Sequence, residues 1–97
     1  MSAKEDASKY LREVAPEQCF WINNGQILKN LDELGNALEQ IGDESYSYHA
    51  NKEKNDFSRW VNDIIGDKKL SNDLLSSKSR KSAVKKIRSR LNSLRKK

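Results

Sequence analysis

The sequence predicts a mainly α protein, a small single-domain bundle of five or six short helices, and it leaves open a short β-hairpin near residues 19–28. Three observations predict this fold class. The chain has 97 residues, which suits one domain. Apolar residues recur at intervals of three and four in several segments, as on one face of a helix. The pair Asn24-Gly25 follows an aromatic run, and Asn-Gly is a strong signal for a tight hairpin turn.

The first predicted element is a short amphipathic helix over residues 4–14, with Tyr10, Leu11 and Val14 on one side. It ends before Pro16, because the residue that precedes a proline is disfavoured in the α region. The aromatic and β-branched residues that follow, at positions 18–22, favour a strand or an extended segment. Positions 26–28, after the turn, are either the returning strand or the first turn of the next helix.

A second helix is predicted from apolar residues at positions 27, 28, 31, 34, 38 and 41, which have helical spacing. Gly42 is its predicted C-terminal stop. Gly35 lies inside this helix, where glycine costs about 1 kcal/mol relative to alanine. We expect a neighbouring aromatic ring, Trp21 or Trp60, to approach the backbone closely at Gly35.

The strongest apolar face lies at positions 57, 60, 61, 64 and 65, on a helix that runs to about Ile65. Gly66 is its predicted stop, and Asp67 is the predicted cap of a further helix. Asp43 is the predicted cap of a brief helix over residues 44–50. The expected core consists of Phe20, Ile22, Leu31, Leu34, Leu38, Ile41, Tyr46, Phe57, Trp60, Val61, Ile64 and Leu70.

Charge divides the chain into two parts. Residues 1–66 hold seven Lys/Arg and twelve Asp/Glu, a balance of −5, whereas residues 67–97 hold twelve Lys/Arg and two Asp/Glu, a balance of +10. We therefore predict a compact helical domain over residues 1–76 and a basic amphipathic helix or tail over residues 77–97. The basic segment either meets an anionic partner or folds back on the acidic body of its own or a second chain. Its apolar residues form a narrow seam of Val84, Ile87, Leu91 and Leu94.

Composition excludes several classes of protein. No apolar run is long enough for a transmembrane helix, and the N-terminal residues lack the apolar core of a signal peptide. With one cysteine and one histidine, the chain has no internal disulfide and no paired-ligand spacing for a metal. We expect no membrane insertion, no metal and no cofactor, and a cytoplasmic location.

The stretch from His49 to Trp60 joins a dense polar run to the aromatic helix face. A lone histidine can act as a base, a pH switch or a metal ligand, but we interpret it as structural, hydrogen-bonded to a backbone carbonyl or to a carboxylate such as Asp56. Asparagines near a helix start satisfy free backbone N–H groups. We interpret this stretch as the structural centre of the domain, formed by His49, Asn51, Asn55, Asp56, Phe57 and Trp60.

The order and spacing of several motifs resemble a family of small prokaryotic domains, largely archaeal, of unknown function. These motifs are Phe20-Trp21, Asn24-Gly25, Asn30-Leu31-Xaa-Glu33-Leu34, Asp43-Glu44 and His49-Xaa-Asn51-Xaa-Glu53-Lys54-Asn55-Asp56-Phe57-Xaa-Xaa-Trp60. The resemblance covers roughly residues 15–76, so the basic helix lies outside it. Relatives usually have Met-Ser before the Asp-Glu pair, where this chain has Ile41-Gly42. The resemblance implies a helical domain and assigns no catalytic residue.

Three hypotheses for function follow. The first is a non-enzymatic binding or adaptor module that contacts nucleic acid or ribonucleoprotein. The second is a protein-interaction or self-association module without a nucleic-acid role, suggested by the apolar seam and the acidic body. An exposed Trp21 beside the turn would also suggest a partner surface. The third is a small ligand-binding or enzymatic domain centred on His49 and Asp56. The candidate phosphate contacts of the first hypothesis are Arg80, Lys81, Lys85, Lys86, Arg88, Arg90 and Arg95.

Overall fold

The computed structural model describes residues 3–95, and over this range the chain forms six α-helices and one two-stranded antiparallel hairpin. This confirms the mainly helical fold and the hairpin. The helices are α1 (Ala3–Leu11), α2 (Leu31–Gln40), α3 (Asp43–His49), α4 (Asp56–Trp60), α5 (Lys68–Leu75) and α6 (Arg80–Arg95), and the strands are β1 (Phe20–Trp21) and β2 (Ile27–Leu28).

Helix α1 ends at Leu11, earlier than the predicted end at residue 14. Val14 lies beyond the helix but is still buried in the core, and its backbone N–H donates to the carbonyl oxygen of Lys29 at 2.8 Å. A short 3-10 turn, Pro16–Gln18, then leads into the hairpin. Val14 therefore belongs to the core, as its place in the apolar pattern suggested, but it is not part of α1.

The hairpin pairs Phe20 with Leu28 and Trp21 with Ile27. Gly25 has a φ of 97°, a left-handed conformation that favours glycine at the predicted turn. Because side chains alternate across a strand, Phe20 and Leu28 enter the core while Trp21 and Ile27 point outward. Positions 27 and 28 are thus the returning strand, one of the two alternatives that the sequence left open.

The boundary between α2 and α3 differs from the prediction. Gly42 has a φ of −76°, so it is not a left-handed helix stop, and α2 ends where Ile41 adopts an extended conformation. Helix α3 begins at Asp43, with Gly42 at the N-cap, so the predicted cap at Asp43 was wrong by one residue. The sharp change of direction therefore comes from two extended residues and needs no left-handed glycine.

Helix α4 continues into one turn of π-helix, Val61–Ile65, in which the N–H of Gly66 donates to the carbonyl oxygen of Val61 at 2.7 Å. The predicted stop at Gly66 is confirmed, with a φ of 91°. A π turn contains more residues than an α turn, so the inward face moves by one position. Ile65 is fully buried, and Ile64, which we expected in the core, is only partly buried.

Helix α6 packs on α1, α2 and α5 and buries Ala83, Ile87 and Leu91 in the same apolar core as the rest of the domain. A Cβ atom at Gly35 would lie 3.2 Å from Cγ2 of Ile87, so the close neighbour of that glycine is α6. Our expectation of Trp21 or Trp60 at this position was wrong. All predicted core residues except Ile64 are buried.

Candidate functional site

His49 is the last residue of α3, and its side chain makes two hydrogen bonds inside the domain. Its Nδ1 lies 3.0 Å from Oδ2 of Asp56, and its Nε2 lies 3.1 Å from the backbone nitrogen of Asn23. A backbone N–H can only donate, so Nε2 is the acceptor and the proton of the neutral ring lies on Nδ1. The ring therefore connects the hairpin turn to the start of α4.

Asp56 accepts a second bond from Nζ of Lys54, at 3.1 Å. Burial alone would raise the pKa of Asp56, but the hydrogen bonds from His49 and Lys54, together with the positive charge of Lys54, hold that pKa below its ordinary value. The carboxylate is therefore an anion at neutral pH. The predicted contact between His49 and Asp56 is present, and the two side chains are hydrogen-bonded to each other.

Asn51 organises the loop that follows α3. Its Oδ1 accepts the backbone N–H groups of Glu53 at 2.9 Å and Lys54 at 3.3 Å, and its Nδ2 donates to the carbonyl oxygen of Ser47 at 3.0 Å. The sequence left open whether Asn51 ends one helix or caps the next. Its bond to Ser47 lies at the end of α3, whereas the N-cap of α4 is Asn55. The side chain also closes the loop between α3 and α4, as asparagine often does in turns.

Asn55 is the N-cap of α4. Its Oδ1 accepts the backbone N–H of Ser58 at 3.0 Å, which satisfies one of the free donors at the helix start. Its Nδ2 donates to the carbonyl oxygen of Leu74 at 3.2 Å, so the same side chain also ties α4 to the end of α5.

The two aromatic residues of this stretch lie in the core. Phe57 stacks on Phe20 and on Tyr46, with ring centroids 5.1 and 5.6 Å apart. Trp60 meets Phe20 edge-on, and its Nε1 donates to the carbonyl oxygen of Gln18 at 2.8 Å. These rings fill the interior and offer no open face to a ligand.

Other chemically reactive groups are few. The thiol of Cys19 is partly buried and donates to the carbonyl oxygen of Ala15 at 3.6 Å. Among the side chains that the structure describes, those of residues 7–95, no group of three or more His, Cys, Asp or Glu could hold a metal ion. None of the helices in this range has both the length and the apolarity needed to cross a bilayer.

The arginines of α6 turn toward the acidic body. Arg90 makes a two-point ion pair with Asp67, whose side chain is almost completely buried. Arg80 donates to the carboxylate of Asp43 at 2.9 Å and to the carbonyl oxygen of Leu38 at 2.8 Å, so it satisfies a free carbonyl at the end of α2. Both guanidinium groups are mostly covered.

The other two arginines pair with acidic residues at the surface of α2. Arg88 contacts Glu39 and also donates to Oδ1 of Asn36 at 2.9 Å, and Arg95 contacts Asp32. The prediction left two alternatives, an anionic partner or the acidic body. For the four arginines of α6 the structure shows contacts with the body.

The lysines of α6 behave differently. Lys81, Lys85 and Lys86 are exposed, and none of them forms an ion pair with residues 7–95, the range whose side chains the structure describes. The candidate phosphate contacts therefore fall into two groups. The arginines are paired with acidic residues of the same domain, and the lysines are exposed to solvent.

Two exposed apolar features accompany this basic surface. Trp21 is 65% exposed beside Ile27, which is 48% exposed, on the outer face of the hairpin. Leu75 is 61% exposed at the end of α5 and lines a groove of about 680 Å³ between residues 50–55 and residues 75–78. Helical spacing put Leu75 among the apolar residues of α5 and did not predict its exposure. The exposure of Leu75 becomes apparent only in the folded structure, where α5 ends at this residue.

One structural role was missed altogether. The guanidinium of Arg12 donates to the carbonyl oxygens of Ile64 at 2.8 Å and Ile65 at 3.1 Å, and so satisfies the end of the π turn. These contacts join residues more than fifty positions apart, and no local pattern indicates them.

Comparison with known proteins adds a family but no activity. No curated protein and no solved structure matches the chain significantly. One family model matches residues 13–96, which corrects the expected span of 15–76 and brings the basic helix inside the family. The chain therefore belongs to the family of unknown function DUF5752.

Proposed function

We propose that the protein is a non-enzymatic binding or adaptor module whose helix α6 contacts the phosphate backbone of a nucleic acid, either free or in a ribonucleoprotein. One observation carries the proposal. Lys81, Lys85 and Lys86 are exposed on a helix without a single acidic residue, and none of them is paired within the described range. Such a surface attracts phosphates and releases their counterions on binding.

The contacts would be independent of base sequence. Lys81 and Lys85 are one turn apart, or about 6 Å along the helix axis, and Lys86 follows at once. Ammonium groups on flexible stems bind phosphates as point charges, with little directional preference. No aromatic residue occurs in α6, so it has no ring on which a base could stack.

The geometry of His49 and Asp56 supports the non-enzymatic part of the proposal. Both ring nitrogens of His49 have partners in the domain, and Asp56 is held as an anion by His49 and Lys54. A general base needs a nitrogen or oxygen free to accept the substrate's proton. A catalytic role would require these bonds to break first.

The test is binding of a labelled mixed-sequence RNA and DNA to the full chain, measured by fluorescence anisotropy. Replacing Lys81, Lys85 and Lys86 with Gln should weaken binding by at least about tenfold at about 50 mM salt, and for duplex DNA it should reduce the magnitude of the salt slope by about 2.7. The matched control replaces Lys52, Arg59 and Lys68 with Gln, which removes the same charge elsewhere. Undetectable binding, or equal loss in both triple variants, would overturn the proposal.

A second candidate is a protein-interaction module without a nucleic-acid role. It is favoured by the exposed Trp21 and Ile27 on the hairpin, since aromatic residues are enriched at interfaces. Self-association through the apolar seam is not favoured, because Ile87 and Leu91 are already buried on the body. Partners that are captured from cells after nuclease treatment, and lost with Trp21→Ser, would support this candidate against the first.

The motif His49-Xaa-Asn51-Xaa-Glu53-Lys54-Asn55-Asp56-Phe57-Xaa-Xaa-Trp60 also leads us to infer a prokaryotic, largely archaeal distribution and a cytoplasmic location. Both inferences rest on the resemblance and the composition stated above. Cell fractionation with antibody detection of the native protein would test the location.

A further inference from the structure

The groove beside Leu75 has two rigid walls and a basic rim. One wall is the loop Ala50–Asn55, which connects α3 and α4, and the other is the segment Leu75–Lys78, which connects α5 and α6. We propose that this groove binds a short acidic segment of a partner protein, with one apolar side chain of that segment seated against Leu75.

The floor of the groove is apolar. Leu75 is the most exposed aliphatic side chain of those described, and Ala50 and the mostly buried Tyr46 complete the lining below it. The groove volume of about 680 Å³ falls within the range of sites that accept ligands of moderate size. A single large side chain with its flanking backbone fits such a volume.

The rim is positively charged. Lys52 and Lys78 are exposed, and neither forms an ion pair with a side chain of residues 7–95. Lys54 adds a third ammonium, although it also contacts Asp56, and Glu53 is the one acidic residue of the lining. The net positive rim complements carboxylates, so a segment carrying acidic residues on both sides of an apolar one matches both parts of the groove.

Both walls are held in place before any partner arrives. Asn51 closes the first wall with the bonds described above, and Nδ2 of Asn55 donates to the carbonyl oxygen of Leu74. In the second wall, Oγ of Ser77 donates to the carbonyl oxygen of Asp73 at 2.9 Å. Preformed walls reduce the entropy that binding must overcome, so a short segment can bind specifically.

The observations favour a peptide over a nucleic acid in this groove. Tyr46 is buried, so the floor offers no open aromatic face for a base. An exposed leucine instead favours an aliphatic or aromatic side chain. The groove and the lysines of α6 share no residue, so this inference can fail while the proposed function stands, and the reverse.

The experiment begins with a random peptide library on phage, selected on the immobilised full chain. The expected result is enrichment of sequences with one large apolar residue between acidic residues. The selected peptide is then synthesised and titrated into the isotope-labelled protein, and shifts of backbone amide signals should concentrate at residues 50–55 and 75–78. Binding should be unaffected by a saturating amount of duplex DNA.

Substitutions then test the two parts of the groove. Leu75→Ser should weaken the selected peptide by about tenfold, because it removes the apolar floor, and its exposure means that the fold tolerates the change. Lys52→Glu with Lys78→Glu should weaken it by at least as much. The matched control, Lys81→Glu with Lys85→Glu, introduces the same charges away from the groove and should leave the affinity within about twofold.

Four results would overturn the inference. These are selection of no peptide, selection of basic or purely apolar peptides, signal shifts confined to the hairpin around Trp21, and competition by duplex DNA. Circular dichroism of every variant separates loss of binding from loss of fold.

Discussion

Arg90 on α6 holds Asp67 at the start of α5 in a two-point ion pair, with Nε 2.7 Å from Oδ2 and the second nitrogen 3.1 Å from Oδ1. Asp67 is completely buried and also accepts the backbone N–H of Leu70 at 3.1 Å, as the predicted N-cap. The guanidinium lies over the ring of Tyr10, 5.7 Å from its centroid. One contact thus joins α1, α5 and α6.

Removing one partner of this pair should be costly. Arg90→Leu leaves Asp67 buried without its cation, and we expect the free energy of unfolding to fall by about 3–5 kcal/mol. Arg90→Lys keeps the charge but cannot form both bonds, so its cost should be smaller. Urea unfolding measures both, with Arg88→Leu as the control for a surface pair, which should cost less than about 1 kcal/mol. Equal effects of Arg90→Leu and Arg88→Leu would contradict a special role for the buried pair.

The close contact between Gly35 and Ile87 can be tested by a double-mutant cycle. Ile87→Ala should cost about 2–5 kcal/mol, because it empties a buried site. Gly35→Val should cost about 1–3 kcal/mol, because its side chain overpacks the contact with α6. The double variant should lose less than the sum of the two, since the smaller residue makes room for the larger one.

Equilibrium unfolding of the four proteins in this cycle gives the coupling energy. Gly42 serves as the reference for glycine outside the core, since a Cβ there meets nothing within 4 Å and its φ of −76° suits any residue. If the losses of unfolding free energy in the two single variants add up in the double variant, Gly35 and Ile87 are not energetically coupled.

The π turn predicts unequal roles for two neighbouring isoleucines. Ile65→Ala should destabilise the protein by about 2–5 kcal/mol, because Ile65 is fully buried. Ile64→Ala should cost about 1.5 kcal/mol or less, because Ile64 is only partly buried. An uninterrupted α-helix would place both isoleucines on its inward face, so equal losses or the opposite ranking in thermal or urea unfolding would argue against the π turn.

The lowered pKa of Asp56 makes part of the stability pH-dependent. In the folded protein this pKa lies below the ordinary aspartate value of 3.8, so the ionised group stabilises the fold above that value. This contribution is lost as the pH falls through the lower, folded pKa. We expect the stability difference between the wild type and Asp56→Asn to be largest above about pH 5 and to shrink toward about pH 3.

Urea unfolding of both proteins across this range provides the measurement. Asp63→Asn is the control, because its carboxylate is exposed and its ion pair with Arg59 should contribute little at any pH. A difference for Asp56→Asn that grows in acid would mean that burial, and not the bonds from His49 and Lys54, dominates its pKa.

The sequence predicted those features that depend on neighbouring residues. The hairpin turn at Gly25, the helix stop at Gly66 and the cap at Asp67 are all present, because each follows from the conformational preference or hydrogen-bonding groups of one residue. Helical spacing also identified most of the core. It misassigned Ile64, since one extra residue in a turn moves every later side chain on the helix face.

For the candidate site, the sequence identified several of the interacting residues but not all of their hydrogen-bond partners. It paired His49 with Asp56, and the two are in contact. It could not indicate that Nε2 of His49 accepts the backbone N–H of Asn23, because the turn comes to that ring only in the folded chain. Nor could it separate the arginines of α6 from the lysines, since all are basic residues on one helix.

By itself the sequence determined the helical class, the hairpin turn, the cap at Asp67 and the uneven charge, since each depends on composition or on residues a few positions apart. Only the tertiary structure decided that α6 completes the core at Gly35 and that its arginines meet Asp67 and Asp32, across 23 and 63 positions of sequence. The physical reason is that each charged or apolar residue has many possible partners of similar chemistry far away in the sequence, and local sequence patterns do not distinguish among them. The packing of the helices determines which of these partners come into contact. In this fold the lysines of α6 and the groove at Leu75 remain exposed to solvent.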